Sequence, residues 1–237
     1  METRLLSRDN RVTNTSGLSP GYLQANLLIL PASHAQSFHD LCRRNPVACP
    51  LLGIVPKGDP HTVQPAECIQ SPDFDIRRDC PAYRVYQHGK CIERRRRDLL
   101  DAWSDEHVGF LIGCSFSFED ALVAAGLRPR HQETNTVVPM YRTNLPLLPA
   151  GVFTDATCIV SMRPYRPGDI ETVRRVTRPF LSTHGEPVAW GWEGMQMLEI
   201  QDIHSPDYGE PPVLHEGEVP VFWVSFSFNL VWMYGSS

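Results

Sequence analysis

The sequence predicts an α/β protein in which a small two-layer unit is inserted into a larger body. Three observations carry that prediction. Strand-like and helix-like apolar patterns alternate along the chain, 21 prolines keep the elements short, and residues 137–190 run strand, strand, helix, strand. Of the 237 residues, 42% are hydrophobic and 21% charged, which supplies enough apolar surface to offset the entropy of folding and excludes a disordered chain.

The elements follow in order. Leu23 to Leu30 is an apolar run, interrupted by Gln24 and Asn26, that reads as a buried strand or a helix entry. Ser33 and Gln36 have the spacing of a capping box, and Ala35, Phe38, Leu41 and Cys42 continue as a helical stripe until Asn45-Pro46. Residues 46–82 read as one long loop-rich segment, and Tyr83 to Tyr86 as a strand ended by His88-Gly89. Ser104 is placed as the cap of a helix with Val108, Leu111 and Ile112 inside. Ser117-Phe118-Glu119-Asp120 reads as the capping box of a helix closing at Gly126.

Extended segments are expected over Val137–Thr143 and Cys158–Arg163, a helix over Ile170, Val173 and Val176, and a strand at 187–190. The inserted unit is therefore placed at 127–191, and the body at 1–126 plus 192–237. Val219 to Tyr234 has no charged residue, but the run is shorter than the roughly 20 apolar residues that span a bilayer, so it reads as a buried strand with an unusual tail.

With 22 basic and 27 acidic side chains the net charge is −5, which argues against nucleic acid as a partner. The run Arg94 to Arg97 sits among acidic neighbours and reads as a solvated face. Seven cysteines without a C-x-x-C, and an N-terminus without an apolar leader, point to reduced thiols inside a cell. No metal-ligand spacing is visible: His34 and His39 diverge by about 140° around a helix.

Four sets of residues could carry chemistry. Gln24 and Asn26 are amides in apolar surroundings, serving either as loop stitching or as ligand contacts. Cys114, Ser115 and Ser117 precede a helix, with Glu119 in its first turn; there an anion or thiolate is favoured, or Cys114 is a small core residue and Ser117 merely a cap. Arg142, beside Asn144, and Arg163 lie next to strands, as carboxylate clamps or as ion-pair partners. His184, in a turn, is a solvated loop residue or a general acid–base group.

Taken together, these stretches resemble the D-glutamate cyclase family, whose bacterial members are labelled hydro-lyases. The resemblance rests on nine pieces in order: residues 21–27, 45–53, 75–79, 81–85, 110–119, 138–144, 160–164, 184–187 and 219–223. It implies a three-layer α/β body with an inserted smaller two-layer α+β subdomain, and a lyase interconverting D-glutamate and 5-oxo-D-proline plus water.

No cofactor or metal is needed for that reaction. The partner is then the small-molecule substrate, with no nucleic acid and no membrane, and with room for a homo-oligomer. Arg142 or Arg163 would clamp the carboxylate, Gln24, Asn26 and Asn144 would orient the substrate, and Glu119, Cys114 or His184 would carry protons. The vertebrate members imply a mitochondrial matrix location, otherwise the cytoplasm. The competing readings are a hydro-lyase on another small carboxylic acid and a non-catalytic metabolite-binding module.

One departure stands out. After Phe222-Trp223 the family continues through a cysteine-containing turn to Thr-Pro-Gln, where this chain reads Val224-Ser225-Phe226-Ser227-Phe228. A truncated or alternatively spliced end is expected. Such an end would impair a site lined by that turn and expose aromatics that invite aggregation.

Overall fold

A computed structural model describes residues 3–69 and 71–226. In chain order the helices are α1 (Thr3–Arg8), α2 (Ala32–Arg44), α3 (Glu119–Ala124), α4 (Arg130–Thr134), α5 (Ile170–Thr177) and α6 (Gly191–Met197). The strands are β1 (Ala25–Pro31), β2 (Leu51–Val55), β3 (Tyr83–Gln87), β4 (Lys90–Arg96), β5 (His107–Gly113), β6 (Met140–Pro146), β7 (Thr157–Tyr165), β8 (Ala189–Trp190) and β9 (Val219–Ser225). The fold is mixed α and β, as the sequence predicts, and every strand pair is antiparallel.

The first sheet has the order β1-β5-β2. Successive side chains on a strand point to opposite faces. Leu28, Leu30, Phe110 and Ile112 accordingly pack on Phe38, Leu41 and Cys42 of α2, while Leu27 and Leu111 face Val55, Val63, Phe74 and Ile76. Phe38 meets Phe110 edge-on, ring centroids 4.8 Å apart. This corrects two expectations. Residues 107–113 form the central strand, not a helix: a strand buried on both faces reads as a continuous apolar run, and Val108, Leu111 and Ile112 fit helical spacing by coincidence. The segment 46–82 also yields β2, a short strand between Pro50 and Pro56.

Both capping boxes are absent. Pro31 precedes α2, Ser33 lies within its first turn, and Gln36 Nε2 donates to Asp40 at 3.1 Å. Ser117 belongs to a 3-10 turn, Ser115–Phe118, and its Oγ accepts from the Gln24 N–H at 2.8 Å. In both places a tertiary hydrogen bond or the chain entry angle outweighs the local cap. Arg94 to Arg96 do lie in the exposed strand β4, where Arg96 pairs with Glu93 and Asp101.

The second sheet has the order β6-β7-β9-β8. β9 lies outside 127–191 in sequence, yet it pairs with β7 through seven consecutive positions. One face, from Tyr141, Val160, Met162 and Phe222, packs on Leu198, Ile200 and Ile203. The other, from Tyr165, Val221 and Trp223, packs on Phe118, Leu122 and Val173. Phe222 and Trp223 are buried in β9, as the buried-strand reading expects, whereas Phe226 of the departing stretch is core rather than exposed; Phe228 and Trp232 lie outside the described residues. All seven cysteines are free thiols. Among the described residues no helix is long and apolar enough to cross a membrane.

Candidate active site

Arg163 sits on the odd-numbered face of β7, among Trp223, Phe118 and α3, with no exposed surface. Its guanidinium lies over the rings of Phe118 and Trp223, 5.2 and 5.3 Å from their centroids. A cation there needs a counter-charge. Glu119, the first residue of α3, supplies it: Nη2 and Nε donate to Oε1 at 2.6 and 3.2 Å. Nη1 donates to Ser161 Oγ at 3.1 Å and Nη2 to Ser115 Oγ at 3.0 Å.

The carboxylate of Glu119 is equally saturated. His131 Nε2 of α4 lies 3.1 Å from Oε1, while Ser16 Oγ and Gln132 Nε2 donate to Oε2 at 2.6 and 2.9 Å. Five donors thus converge on about four lone-pair positions. Burial alone raises the carboxyl pKa, but Arg163, His131 and Ser16 outweigh it and lower it to about 2. These contacts favour the anionic form of Glu119.

This ion pair lies directly behind the wall of a cavity of about 980 Å³. Adjacent residues make the link: Thr15 lines the cavity and Ser16 holds Glu119, while Cys114 lines it and Ser115 holds Arg163. Phe116 lines it too and stacks on His131 at 6.1 Å. Asn26 is half-buried in the same wall. Gln24 is buried behind it, its Oε1 accepting from Thr15 Oγ1 at 2.6 Å and its carbonyl from the Cys114 N–H at 2.9 Å, so it stitches loops together.

Burial pushes the Cys114 thiol up to about 11, so it is a neutral donor at physiological pH. We expect iodoacetamide at pH 7.5 to label the exposed Cys91 well before Cys114, read by mass spectrometry; equal labelling would contradict a protonated thiol.

His184 is buried rather than solvated. Its Nδ1 donates to the Val47 carbonyl at 2.9 Å, which fixes the tautomer and leaves Nε2 as a bare lone pair without a hydrogen-bond partner. Burial lowers the imidazole pKa to about 4, against the opposing pull of the Val47 and Gly113 carbonyls. The backbone of 182–183 packs tightly on Gly113, where an added Cβ would lie 2.0 Å from the Ser182 carbonyl oxygen. Gly113→Ala is therefore expected to displace the His184 turn and cost about 1–3 kcal/mol, measured by denaturant unfolding; an unchanged midpoint would contradict that packing.

Arg142 and Asn144 do not join this group. Arg142, on β6, is exposed, with Nε 3.4 Å from Asp207 and Nη2 donating to Tyr208 at 3.1 Å. It pairs with Ile159 of β7, four positions or about 13 Å along the strand from Arg163. Asn144 Nδ2 donates to the Met197 carbonyl at 3.2 Å. Edge-strand polar residues look the same in sequence whether they face a site or a neighbouring loop. Ser16, His131 and Gln132 are the residues that sequence reasoning missed; they come from two segments more than a hundred positions apart, a loop and α4, so no local signal links them. Among the described residues no cluster of His, Cys, Asp and Glu has metal-binding geometry.

Residues 108–227 match the profile of the D-glutamate cyclase family. Over 94% of its length the chain is 46% identical to a "Putative hydro-lyase" of Schizosaccharomyces pombe, covering 73% of that protein. It is 44% identical to a protein of the same name from Rhodopseudomonas palustris, covering 94% of this chain and 78% of that one. It is 43% identical to another from Geobacillus kaustophilus, covering 94% and 81%.

Proposed function

The chain belongs to the D-glutamate cyclase family of hydro-lyases, and from that premise we propose that it interconverts D-glutamate and 5-oxo-D-proline plus water. The observation that carries the reading is the placement of Asn26 and Cys114 on a cavity wall backed by the buried Arg163–Glu119 pair. Ring closure joins the amine nitrogen to the γ-carboxyl carbon and expels one carboxyl oxygen as water. The ammonium nitrogen must give up two protons in all, one before it can attack, and the departing carboxylate oxygen must take up two to leave as water.

The protonated Cys114 thiol, on the cavity wall, suits transfer to the departing oxygen. His184 does not line the cavity and its Nε2 is fully buried, so it supports the turn packed on Gly113 rather than touching the substrate. Asn26 and Thr15 would hold the substrate carboxylates and keep the chain folded for attack. Arg163 acts as a positioning residue: its fork is occupied by Glu119 and two serines, so it fixes the turn that carries Cys114. No cofactor enters this scheme, and a mitochondrial matrix setting is part of the same proposal.

The test is incubation of the purified protein with each compound, followed by chiral chromatography. Interconversion of the D-forms is the expected result. An unsaturated acid in place of the lactam would instead indicate a hydro-lyase of different substrate. A ligand-induced rise in Tm without turnover would indicate a binding module.

A further inference from the structure

The cavity extends well beyond the candidate site. At about 980 Å³ it lies near the upper end of the roughly 300–1,000 Å³ range of small-molecule pockets, far more than a five-carbon amino acid fills. One wall is the whole of β1, Ala25–Pro31, and another is the run 81–86 that contains the start of β3. β1 is, among the described residues, an edge strand whose one strand partner is β5, and β3 pairs with β4 alone. Among the described residues, neither strand has backbone hydrogen bonds on its other edge. The space is therefore a slot between two strand edges, each carrying N–H and C=O groups without a ladder partner.

The slot also has a charge sign. Among the described residues Arg84 is the one Lys, Arg, Asp or Glu that lines it; of the histidines there, His107 has its pKa lowered by burial, which favours the neutral ring. Its remaining walls are largely apolar, with Leu27, Ile29, Tyr86 and Trp103 among them.

We propose that this slot binds an extended acidic peptide segment of a partner protein by strand addition to β1, with Arg84 pairing an acidic side chain. Main-chain ladder bonds supply affinity in this mode, and alternate side chains supply specificity. Seven residues in extended form span about 23 Å, the length of β1 itself. Paired along all of β1 the segment would also cover Asn26, so peptide and substrate are expected to exclude one another at that end of the slot.

The test is fluorescence anisotropy of the full chain with a labelled heptapeptide, Glu-Val-Glu-Val-Thr-Val-Glu. Saturable binding is expected. Arg84→Glu should weaken it at least tenfold and Arg84→Gln by less, with circular dichroism confirming that both variants fold. N-methylation of alternate peptide amides should abolish it, because the ladder donors are removed. Absence of binding, equal binding of the N-methylated peptide, or equal binding of a Lys-for-Glu peptide would overturn the proposal. So would light scattering that shows β1 already occupied in a dimer of this chain. Lactam turnover is assayed separately, so failure here leaves the cyclase reading untouched.

Discussion

Replacing Arg163 by methionine is expected to lower the free energy of unfolding by about 3–5 kcal/mol. The side chain it replaces has no exposed surface and lies between Phe118 and Trp223, where an unbranched apolar chain fits. The loss comes from Glu119, which would stay buried with its main counter-charge gone. For a protein of this size that amounts to a fall in Tm of about 6–20 °C by calorimetry. Adding Glu119→Gln should recover part of the loss, because the stranded charge disappears with it. A single variant as stable as the parent would show that the pair is not holding the two halves together.

The same residues set the response to acid. The Glu119 carboxyl is lowered from 4.5 to about 2, so its contribution is complete above about pH 4.5 and drains away as pH falls toward 2. His184 is lowered from 6.5 to about 4, so the unfolded chain takes up a proton that the folded chain refuses, and stability declines from about pH 6.5 toward 4. Urea midpoints should thus fall in two stages on acidification, the upper stage vanishing in His184→Asn. A midpoint flat from pH 7 to 4 would contradict the buried neutral imidazole.

The second large effect concerns turnover. In the cyclisation reading, Cys114→Ala should reduce kcat by about 10²–10⁴, the usual worth of a positioned proton-transfer group. Cys114 lines the cavity, and alanine removes the thiol with little change of volume, so the fold should survive and the loss is read as chemistry. Full activity in the folded variant would remove Cys114 from the proton path.

How much of this was legible in the sequence depends on whether the deciding contact was local. The helix stripe of Phe38, Leu41 and Cys42, the strands around Tyr141 and Val160, and the helix around Val173 carry their periodicity within one segment. The β5 segment does not: Val108–Gly113, six residues buried on both faces, carry no period that separates strand from helix. The site divides the same way. Asn26 stands out as an amide in apolar surroundings, Cys114 and Glu119 by their place at a helix N-terminus, and Arg163 by its place next to a strand. That Arg163 would meet Glu119, 44 positions away, while Arg142 met Asp207 and Tyr208, is decided by strand facing and register alone.

The placement of β9 bears on how the chain is made. The strand lies between β7 and β8, and Phe226 just beyond it reaches the core beneath α2. On the ribosome, residues 25–197 would therefore emerge with two apolar surfaces waiting for a final filling piece. Closure of both cores thus waits for residues 219–226, which are synthesised after every other described strand of the two sheets.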